Sequence, residues 1–395
     1  MSALAWIAVA SLAAWGWLLF GQGFFWRTDQ RLPPGREPDS WPDVAVVVPA
    51  RDEAGVLSVT LPSLLAQDYP GRAEIVLVDD GSTDGTGELA RSLAERHGGL
   101  PLAVVSPGEP EPGWTGKLWA LRHGIALARA RDREPGYLLL TDADIRHAPD
   151  SLRTLVAAAG ANGLDLVSQM ARLRIATGWE RLVVPAFVYL FCQLYPFRRV
   201  NRPRSWTAAA AGGCALLRTG AAERAGVPDS IRQSVIDDVA LARAVQRSGG
   251  RIWLGLAERV ESVRPYPRLA DLWHMVSRCA YAQLLHSPLL LAGTAAGLAL
   301  VYLVPPVAVV CAAAGLSGAD AVAGWAGAAA WAVMAGTYLP MLRYCRQSPL
   351  LAPVLPFTAL LYLLMTVDSA RRHHRGRGAA WKGRTYARPS AAPGP

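Results

Sequence analysis

Lysine is almost absent from this 395-residue chain. Lys117 and Lys382 are its only lysines, so arginine carries the net charge of +9. A guanidinium-rich surface suits phosphates and anionic headgroups, because its planar fork of donors matches their oxygens. Nucleic acid is not indicated: zinc-finger spacing, a recognition-helix pattern and aromatic–basic interleaving are all missing. Cysteine is sparse as well. Cys192, Cys214, Cys279, Cys311 and Cys345 are odd in number and scattered, without a C-x-x-C pair, which argues against a thiolate metal site or redox centre and leaves reduced, buried thiols. No G-x-G-x-x-G follows the first strand, so the dinucleotide fingerprint fails. Gly116-Lys117 ends like a P-loop, but Leu118 stands where Ser or Thr is required and Glu111 where the first glycine should be. No basic residue precedes Trp6, so a cleaved signal peptide lacks its n-region.

Apolar residues, by contrast, make up 52% of the chain. They concentrate near the two ends, with a polar middle. Residues 3–25 are uncharged, about the 20 that a spanning helix needs, and end in the aromatic belt Phe24, Phe25 and Trp26. An uncleaved N-terminal anchor is expected over 1–26. Arg27, Arg31 and Arg36 follow it directly, which places the polar domain in the cytoplasm and the protein, as a multi-pass protein, in the cytoplasmic (inner) membrane. Residues 284–316 and 321–342 are long enough to span, with Pro305 and Pro306 marking a kink in the first. A third crossing over 350–367 would export Arg371, Arg372, Arg375, Arg377, Lys382, Arg384 and Arg388, and Pro353 and Pro356 interrupt it early. A re-entrant or interfacial segment with a cytoplasmic tail is therefore expected. The resulting division is an anchor at 1–26, a Pro-rich linker at 27–42, a catalytic domain at 43–283, a membrane region at 284–368 and a basic tail at 369–395.

Within the polar middle, Val44-Ala45-Val46-Val47-Val48 reads as a buried strand ended by Pro49, and Glu74-Ile75-Val76-Leu77-Val78, residues 102–105 and residues 137–140 as three more. Helical spacing appears over 57–65, over 87–96, and through Leu118, Leu121, Ile125 and Ala128. This alternation predicts an α/β fold, a doubly wound, mostly parallel sheet with helices on both faces and ligands beyond the carboxyl ends of the strands. Three of those ends are acidic: Pro49-Ala50-Arg51-Asp52-Glu53, Asp79-Asp80-Gly81-Ser82-Thr83-Asp84 and Thr141-Asp142-Ala143-Asp144. Asp84 and Thr86 are expected to serve only the turn. Asp142 and Asp144, one residue apart on a loop leaving a strand, form a hard-oxygen site for Mg2+ or Mn2+ holding a diphosphate. A separate carboxylate would deprotonate an acceptor hydroxyl. The candidate is the pair Asp237-Asp238 opening an amphipathic helix, where an N-cap role is the competing reading.

In order and spacing, Pro49 to Glu53, Val78-Asp79-Asp80-Gly81-Ser82, Gly116-Lys117, Asp142-Ala143-Asp144 and Asp237-Asp238-Val239-Ala240-Leu241 resemble family 2 glycosyltransferases of the GT-A fold. Through Pro112-Gly113-Trp114-Thr115-Gly116-Lys117-Leu118-Trp119-Ala120, residues 208–214 and Trp273-His274-Met275-Val276-Ser277-Arg278, the chain is similar to the hopene-associated members. The resemblance implies a nucleotide-diphosphate sugar donor, bordered by Pro49, Ala50, Arg51, Glu53, Asp79, Asp80, Lys117 and Asp142. Asp142 and Asp144 would hold a divalent cation, and Asp238 would be the base of an inverting displacement. Gly212, Gly213, Cys214, Asp237 and Arg278 would lie on the side of a lipid acceptor, a hopanoid or, alternatively, a polyisoprenyl phosphate. The acidic pair is Asp-Asp rather than the commoner Glu-Asp. Met275-Val276-Ser277-Arg278-Cys279 also replaces the Gln-x-x-Arg-Trp string of processive members, so a single transfer is expected. Residues 179–197 fit either a core helix or an amphipathic helix at the bilayer surface, the latter favoured by Arg198, Arg199, Arg202 and Arg204. His97, His123, His147, His274 and His286 read as satisfied or solvated. An Asp-nucleophile phosphohydrolase fails for want of D-x-D-x-T. A scaffold that keeps the fold without the chemistry is the non-enzymatic alternative.

Overall fold

A computed structural model of the chain describes residues 1–316 and 320–375, with the backbone of 380–381 and 384–385. The basic tail expected over 369–395 is therefore described only to residue 375. The chain forms α1 (Ala3–Phe20), β1 (Val44–Ala50), α2 (Ala54–Leu65), β2 (Ala73–Asp79), α3 (Thr86–His97), β3 (Leu102–Val105) and α4 (Gly116–Arg129). There follow β4 (Tyr137–Thr141), β5 (Ile145–His147), α5 (Ser151–Asn162), β6 (Leu166–Leu173), α6 (Gly178–Leu194), β7 (Cys214–Arg218) and β8 (Ile252–Ser262). These and the later helices divide into two compact units, one of Met1–Asp29, Ile175–Arg199 and Tyr266–Ala379, the other built mainly of Gln30–Arg174 and Val200–Pro265. The division differs from the continuous 43–283 domain expected. Residues 175–199 and the chain after Pro265 join the apolar unit, while the linker packs on the sheet, Gln30 O accepting from Leu256 N at 2.9 Å.

In the second unit eight strands run in the order β3-β2-β1-β4-β7-β6-β8-β5. The wing β3-β2-β1-β4 is parallel throughout, as is β6 with β8, whereas β7 is antiparallel to both of its neighbours and β5 is antiparallel to β8. The parallel wing is the alternating β/α part of the sequence. β1 is buried over all seven residues and continues through Pro49 to Ala50, two residues past the expected end. Val44, Val46 and Val48 share a core with Leu57, Leu61, Leu64 and Leu65 of α2. Val47, pointing to the opposite face, meets α4, where a Cβ on Gly124 would come within 2.5 Å of its Cγ1. Only glycine lets α4 approach the sheet that closely.

Among the described residues, the first unit contains four helices long and apolar enough to cross a membrane: α1, Pro288–Ala313, Ala321–Tyr344 and Pro349–His374. The second has a π-helical turn, Ala299–Leu303, before Pro305 and Pro306. Pro305 has no N–H to give Val301 O, and the indole Nε1 of Trp15 donates to that carbonyl instead, at 2.7 Å. Ser2 N bonds Asp320 at 2.8 Å, so α1 and Ala321–Tyr344 start at the same end of this unit. Pro288–Ala313 runs the other way, with Ala308 packed against Ala8 and Ala326. The last segment starts just beyond Tyr344, comes beside Trp331 where its indole donates to Pro353 O (3.0 Å), and returns to the approach to Pro288, where Tyr281 N bonds Ser369 Oγ and Trp273 Nε1 bonds Asp368. It begins and finishes at one end. Pro353 and Pro356 flank the point where it turns back: the first lies in the 3-10 turn Pro349–Val354, and the second in the opening turn of Leu355–His374, where a missing N–H costs nothing. α6 packs within the same unit, Tyr189 bonding Thr337 and Tyr362 bonding Val183 O. Its capping-box Glu180 is fully buried and accepts from Ala176 N, Thr177 N and Tyr266 N. With this much apolar surface the full chain is expected to stay in the pellet after alkaline carbonate washing. Release into the supernatant would contradict the four-helix reading.

Candidate active site

The strand directions bring five segments to one rim. β1, β2 and β4 are parallel, so Glu53, Asp79, Asp80, Asp142 and Asp144 stand at or just beyond their carboxyl ends. β7 is antiparallel to β4 with Cys214 opposite Thr141, which puts Gly212 and Gly213 on that rim too. β6 and β8 run with β4, so the end of β8 adds Ser262 and Arg264.

One half of the rim is built around Lys117, in the first turn of α4. Its Nζ lies 2.8 Å from Asp142 Oδ1 and 3.0 Å from Asp237 Oδ2. Burial works against the ammonium, but the two carboxylates outweigh it and hold Lys117 above the ordinary lysine range. Asp238 Oδ2 accepts from Gly212 N (3.0 Å) and Oδ1 from Val239 N (2.7 Å). Burial, then the Asp237 charge, push the Asp238 carboxyl up to about 7, against the pull of Lys117. Burial raises Asp142 as well, Lys117 opposes it, Asp144 adds to it, and the carboxyl ends above its ordinary value. The N-cap of the Asp237–Arg247 helix is Ile236, which makes no side-chain cap bond. Asp238 itself takes one free amide of the first turn, that of Val239. A cavity of about 30 Å³ adjoins the cluster, walled by Pro49, Leu140, Thr141 and Leu241.

The other half is held by Arg264. Its Nη2 reaches both carboxylate oxygens of Glu53, at 2.7 and 2.8 Å, and its Nε reaches Asp144 Oδ2 at 3.3 Å. Ser262 Oγ donates to the same Oδ2 at 2.6 Å. Arg51 donates to the carbonyl of Asp80 and lies 3.6 Å from its buried carboxylate. Asp79 closes its own turn by accepting Ser82 N at 2.9 Å. As expected, Asp84 serves the turn, accepting from Ala54 N and Thr86 N, while Thr86 Oγ1 receives Glu53 N.

Behind Asp142 runs a buried chain of polar groups. Thr141 Oγ1 donates to Gly213 O (2.8 Å), so at His147 Nε2 (3.0 Å) it must accept. That places the proton on Nε2 and leaves Nδ1 to receive Ser151 Oγ at 3.2 Å. Burial drives the His147 imidazole down to about 3, so it is neutral throughout the physiological range. It is a satisfied histidine that fixes the loop, as the sequence suggested.

Of the expected site residues, the structure gathers Pro49, Lys117, Asp142, Gly212, Asp237 and Asp238 in one cluster and links Glu53 to Asp144. Ala50 supports the rim through its carbonyl, which accepts Asp80 N at 2.9 Å. Gly213 has no room for a side chain, since a Cβ would lie 2.9 Å from Ile145. Cys214 departs from its expected role on the acceptor side: it is wholly buried in the core, its thiol pushed up to about 12 by burial. All five cysteines are free, but Cys279, Cys311 and Cys345 are only half-buried, not enclosed as expected. Arg278 caps the Leu269–Ser277 helix in the other unit and is not among the gathered residues. Sequence reasoning missed Ser262 and Arg264, which stand in Glu-Ser-Val-Arg-Pro, a string with no motif; only the run of β8 to the rim gives them meaning.

Among the described residues no three His, Cys, Asp or Glu side chains group as metal ligands. Asp142 and Asp144 alone supply hard oxygens. That is the donor set a Mg2+ or Mn2+ ion uses when substrate phosphates and waters complete its shell, and the bonds from Ser262 and Arg264 both fall on Oδ2 of Asp144. The residues fit such an ion.

A mixed sheet with a parallel wing and acidic strand ends is the GT-A glycosyltransferase fold. The mannosyltransferase PcManGT from Pyrobaculum calidifontis, solved in complex with GDP-Man and Mn2+, superposes with a TM-score of 0.54 over 93% of this chain and 99% of that one, at 22% identity. Residues 45–226 match the model of glycosyl transferase family 2, so the chain carries a glycosyltransferase domain of that family. The match ends before Asp237, and Asp237, Asp238, Ser262 and Arg264 join the site through geometry. Undecaprenyl-phosphate 4-deoxy-4-formamido-L-arabinose transferase of Pseudomonas aeruginosa is 33% identical over 144 residues, 35% of this chain and 38% of that protein. The protein of the same description from Edwardsiella ictaluri is 32% identical over 140 residues, 35% and 40% of the two chains. The chain thus spans about two fifths of the length of these relatives, neither of which is named for a hopanoid.

Proposed function

We propose that the protein is a membrane-bound inverting glycosyltransferase that moves one sugar from a nucleoside-diphosphate donor to a hydroxyl group of a lipid, such as a hopanoid. The observation that carries this is Asp238, a carboxyl held near neutrality by burial and by Asp237, fixed by Gly212 N beside Lys117 and Asp142. A hydroxyl is a poor nucleophile at neutral pH and needs such a base. The oxygen of a phosphate acceptor is already ionised, and three aspartates would repel it. The second reading, a polyisoprenyl-phosphate acceptor, is favoured by the names of the bacterial relatives. In the mechanism, Glu53, Arg51 and Asp80 border the nucleotide. Lys117 holds Asp142 and Asp237 in place and offers its charge to the diphosphate, and Asp238 takes the acceptor proton as the anomeric bond breaks. A divalent cation bound by Asp142 and Asp144 would neutralise the leaving diphosphate.

The site is proposed to face the cytoplasm. In the apolar unit Arg27, Arg198, Arg199, Arg343, Arg346, Arg371, Arg372 and Arg375 belong to the end where α1 finishes, while the opposite end carries Ser2 and Asp320. That asymmetry is the positive-inside pattern. It also suits a re-entrant last segment with its tail on the cytoplasmic side. The test is transfer by the detergent-purified full chain from UDP- and GDP-sugars to a hopanoid and to a polyisoprenyl phosphate, with products weighed by mass spectrometry. Glycosylated hopanoid, lost on adding EDTA, is expected. Product only with the phosphate lipid would replace the first reading by the second, and neither transfer nor donor hydrolysis would leave a scaffold.

A further inference from the structure

The Glu53–Arg264–Asp144 link is not required by the roles given so far. Arg264 lies beyond β8, far in sequence from both carboxylates, yet its guanidinium spans the ends of β1, β4 and β8. Its Nη2 bonds both oxygens of Glu53, and its Nε shares Asp144 Oδ2 with Ser262 Oγ. Asp144 is held a third way, its carbonyl accepting Val263 N at 2.9 Å. Glu53 and Asp144 are both buried, with 7% and 9% of their surface exposed, so two carboxylates are packed together at low solvent access. Without a cation between them they would repel.

The effect on Asp144 is geometric. A carboxylate presents two oxygens and can turn about its terminal bond, so an ion meets a mixture of orientations. Two donors on Oδ2 stop that rotation and leave Oδ1 as the oxygen outside the clamp. Ligands of metal ions are commonly oriented in this way by partners that never touch the metal, and losing such a partner weakens metal affinity by about 10–100-fold.

We propose that Arg264, assisted by Ser262, is the positioning residue of the cation–diphosphate end of this site: it orients Asp144 for a divalent cation and ties it to Glu53 on the nucleotide side. The inference rests on the reading of Asp142 and Asp144 as cation-holding residues. A purely structural pair would only hold β8 to β1, and its loss would lower the melting temperature without touching metal affinity.

The experiment is an electron paramagnetic resonance titration of Mn2+ into the detergent-purified full chain with UDP or GDP present, beside a thermal unfolding curve. Arg264→Gln is expected to weaken Mn2+ binding by about 10–100-fold. Ser262→Ala, which removes one hydroxyl and should leave the fold intact, is expected to weaken it several-fold, and Arg264→Lys, with the charge but one nitrogen where Nη2 and Nε serve the two carboxylates, to fall between parent and glutamine variant. Folded Arg264→Gln protein that binds Mn2+ like the parent overturns the inference. If that variant does not fold, unchanged affinity in Ser262→Ala overturns it just as well. The parent and Asp144→Asn separate the two levels of failure. A parent that binds no Mn2+ with either nucleotide removes the underlying cation reading, whereas binding lost in Asp144→Asn but kept in the Arg264 and Ser262 variants removes only the positioning role.

Discussion

Asp238→Asn is expected to lower transfer by ~10²–10⁴-fold, the usual contribution of a general base, while donor binding and membrane insertion stay at parental levels. The amide keeps an oxygen for Gly212 N, so the local fold should persist, but it cannot take a proton. Asn can also still take the first-turn amide of Val239 that Asp238 Oδ1 receives, so lost capping would not account for the loss. Asp237→Asn is the matched control: it weakens the Lys117 pair without removing the proposed base, and should cost less. The same assignment fixes a pH profile. Only the ionised carboxylate can accept the proton, so kcat/KM of the parent should be low in acid, rise through about pH 7 and level off above it. An Asp238→Asn variant with parental turnover would remove this residue from the mechanism, whereas a profile flat from pH 5 to 9 would mean that its carboxyl is not raised. Because a phosphate acceptor needs no base, a small effect with a phosphate lipid beside a large one with a hydroxyl lipid would also identify the acceptor chemistry.

Lys117→Met should unfold the catalytic unit more readily than any other single change at the rim. The substitution removes the ammonium shared by Asp142 and Asp237 and leaves those two beside Asp238 without it. Removing one partner of a buried ion pair costs about 3–5 kcal/mol. Lys117 keeps 18% of its side-chain surface, so the lower end, about 3 kcal/mol, is the better expectation. For a unit of this size that corresponds to a fall of roughly 6–12 °C in Tm, measurable by intrinsic fluorescence in detergent. Lys117→Arg should recover most of the stability but less of the activity, because a planar guanidinium cannot occupy the same point between two carboxylates. An unchanged Tm in Lys117→Met would mean that the three aspartates are protonated or solvated, against the burial described above.

How much of this could be read in the sequence depended on whether the physical cause was local. The strands and helices of the parallel wing were legible because Val46, Leu77 and Leu139 belong to short apolar runs and Leu118, Leu121 and Ile125 recur at a helical period. Their acidic ends followed directly, and Asp142, Asp144, Asp237 and Asp238 were named from residue type alone. Three features were hidden because their causes lie far away in the chain. β7 enters the sheet between β4 and β6, and only that placement brings Gly212 to Asp238. Arg264 has no motif, and its partners Glu53 and Asp144 are known only once β8 is seen to run with β4. The apolar, aromatic run of α6 suits a catalytic core and a membrane unit equally well. Its place is decided by Tyr189 and Val183, whose partners Thr337 and Tyr362 come nearly 150 residues later or more. Pro353 and Pro356 were legible as an interruption, but a string does not say that the second opens a helix rather than ends one.

The indole of Trp15 that stands in for the missing amide of Pro305 also sets a timetable. The two ends of that hydrogen bond are 286 residues apart, which at ~5–20 residues per second of synthesis is roughly 15–60 s. For that interval the ring nitrogen of α1 waits for its carbonyl. Apart from Ala380–Pro395, the catalytic unit ends at Pro265, so most of it has been synthesised before Val301 is made. The active site is therefore born on a single tether, and the bundle closes around α1 only afterwards. Trp15→Phe should leave the newborn catalytic unit untouched and act late, as a helix that inserts but fails to lock.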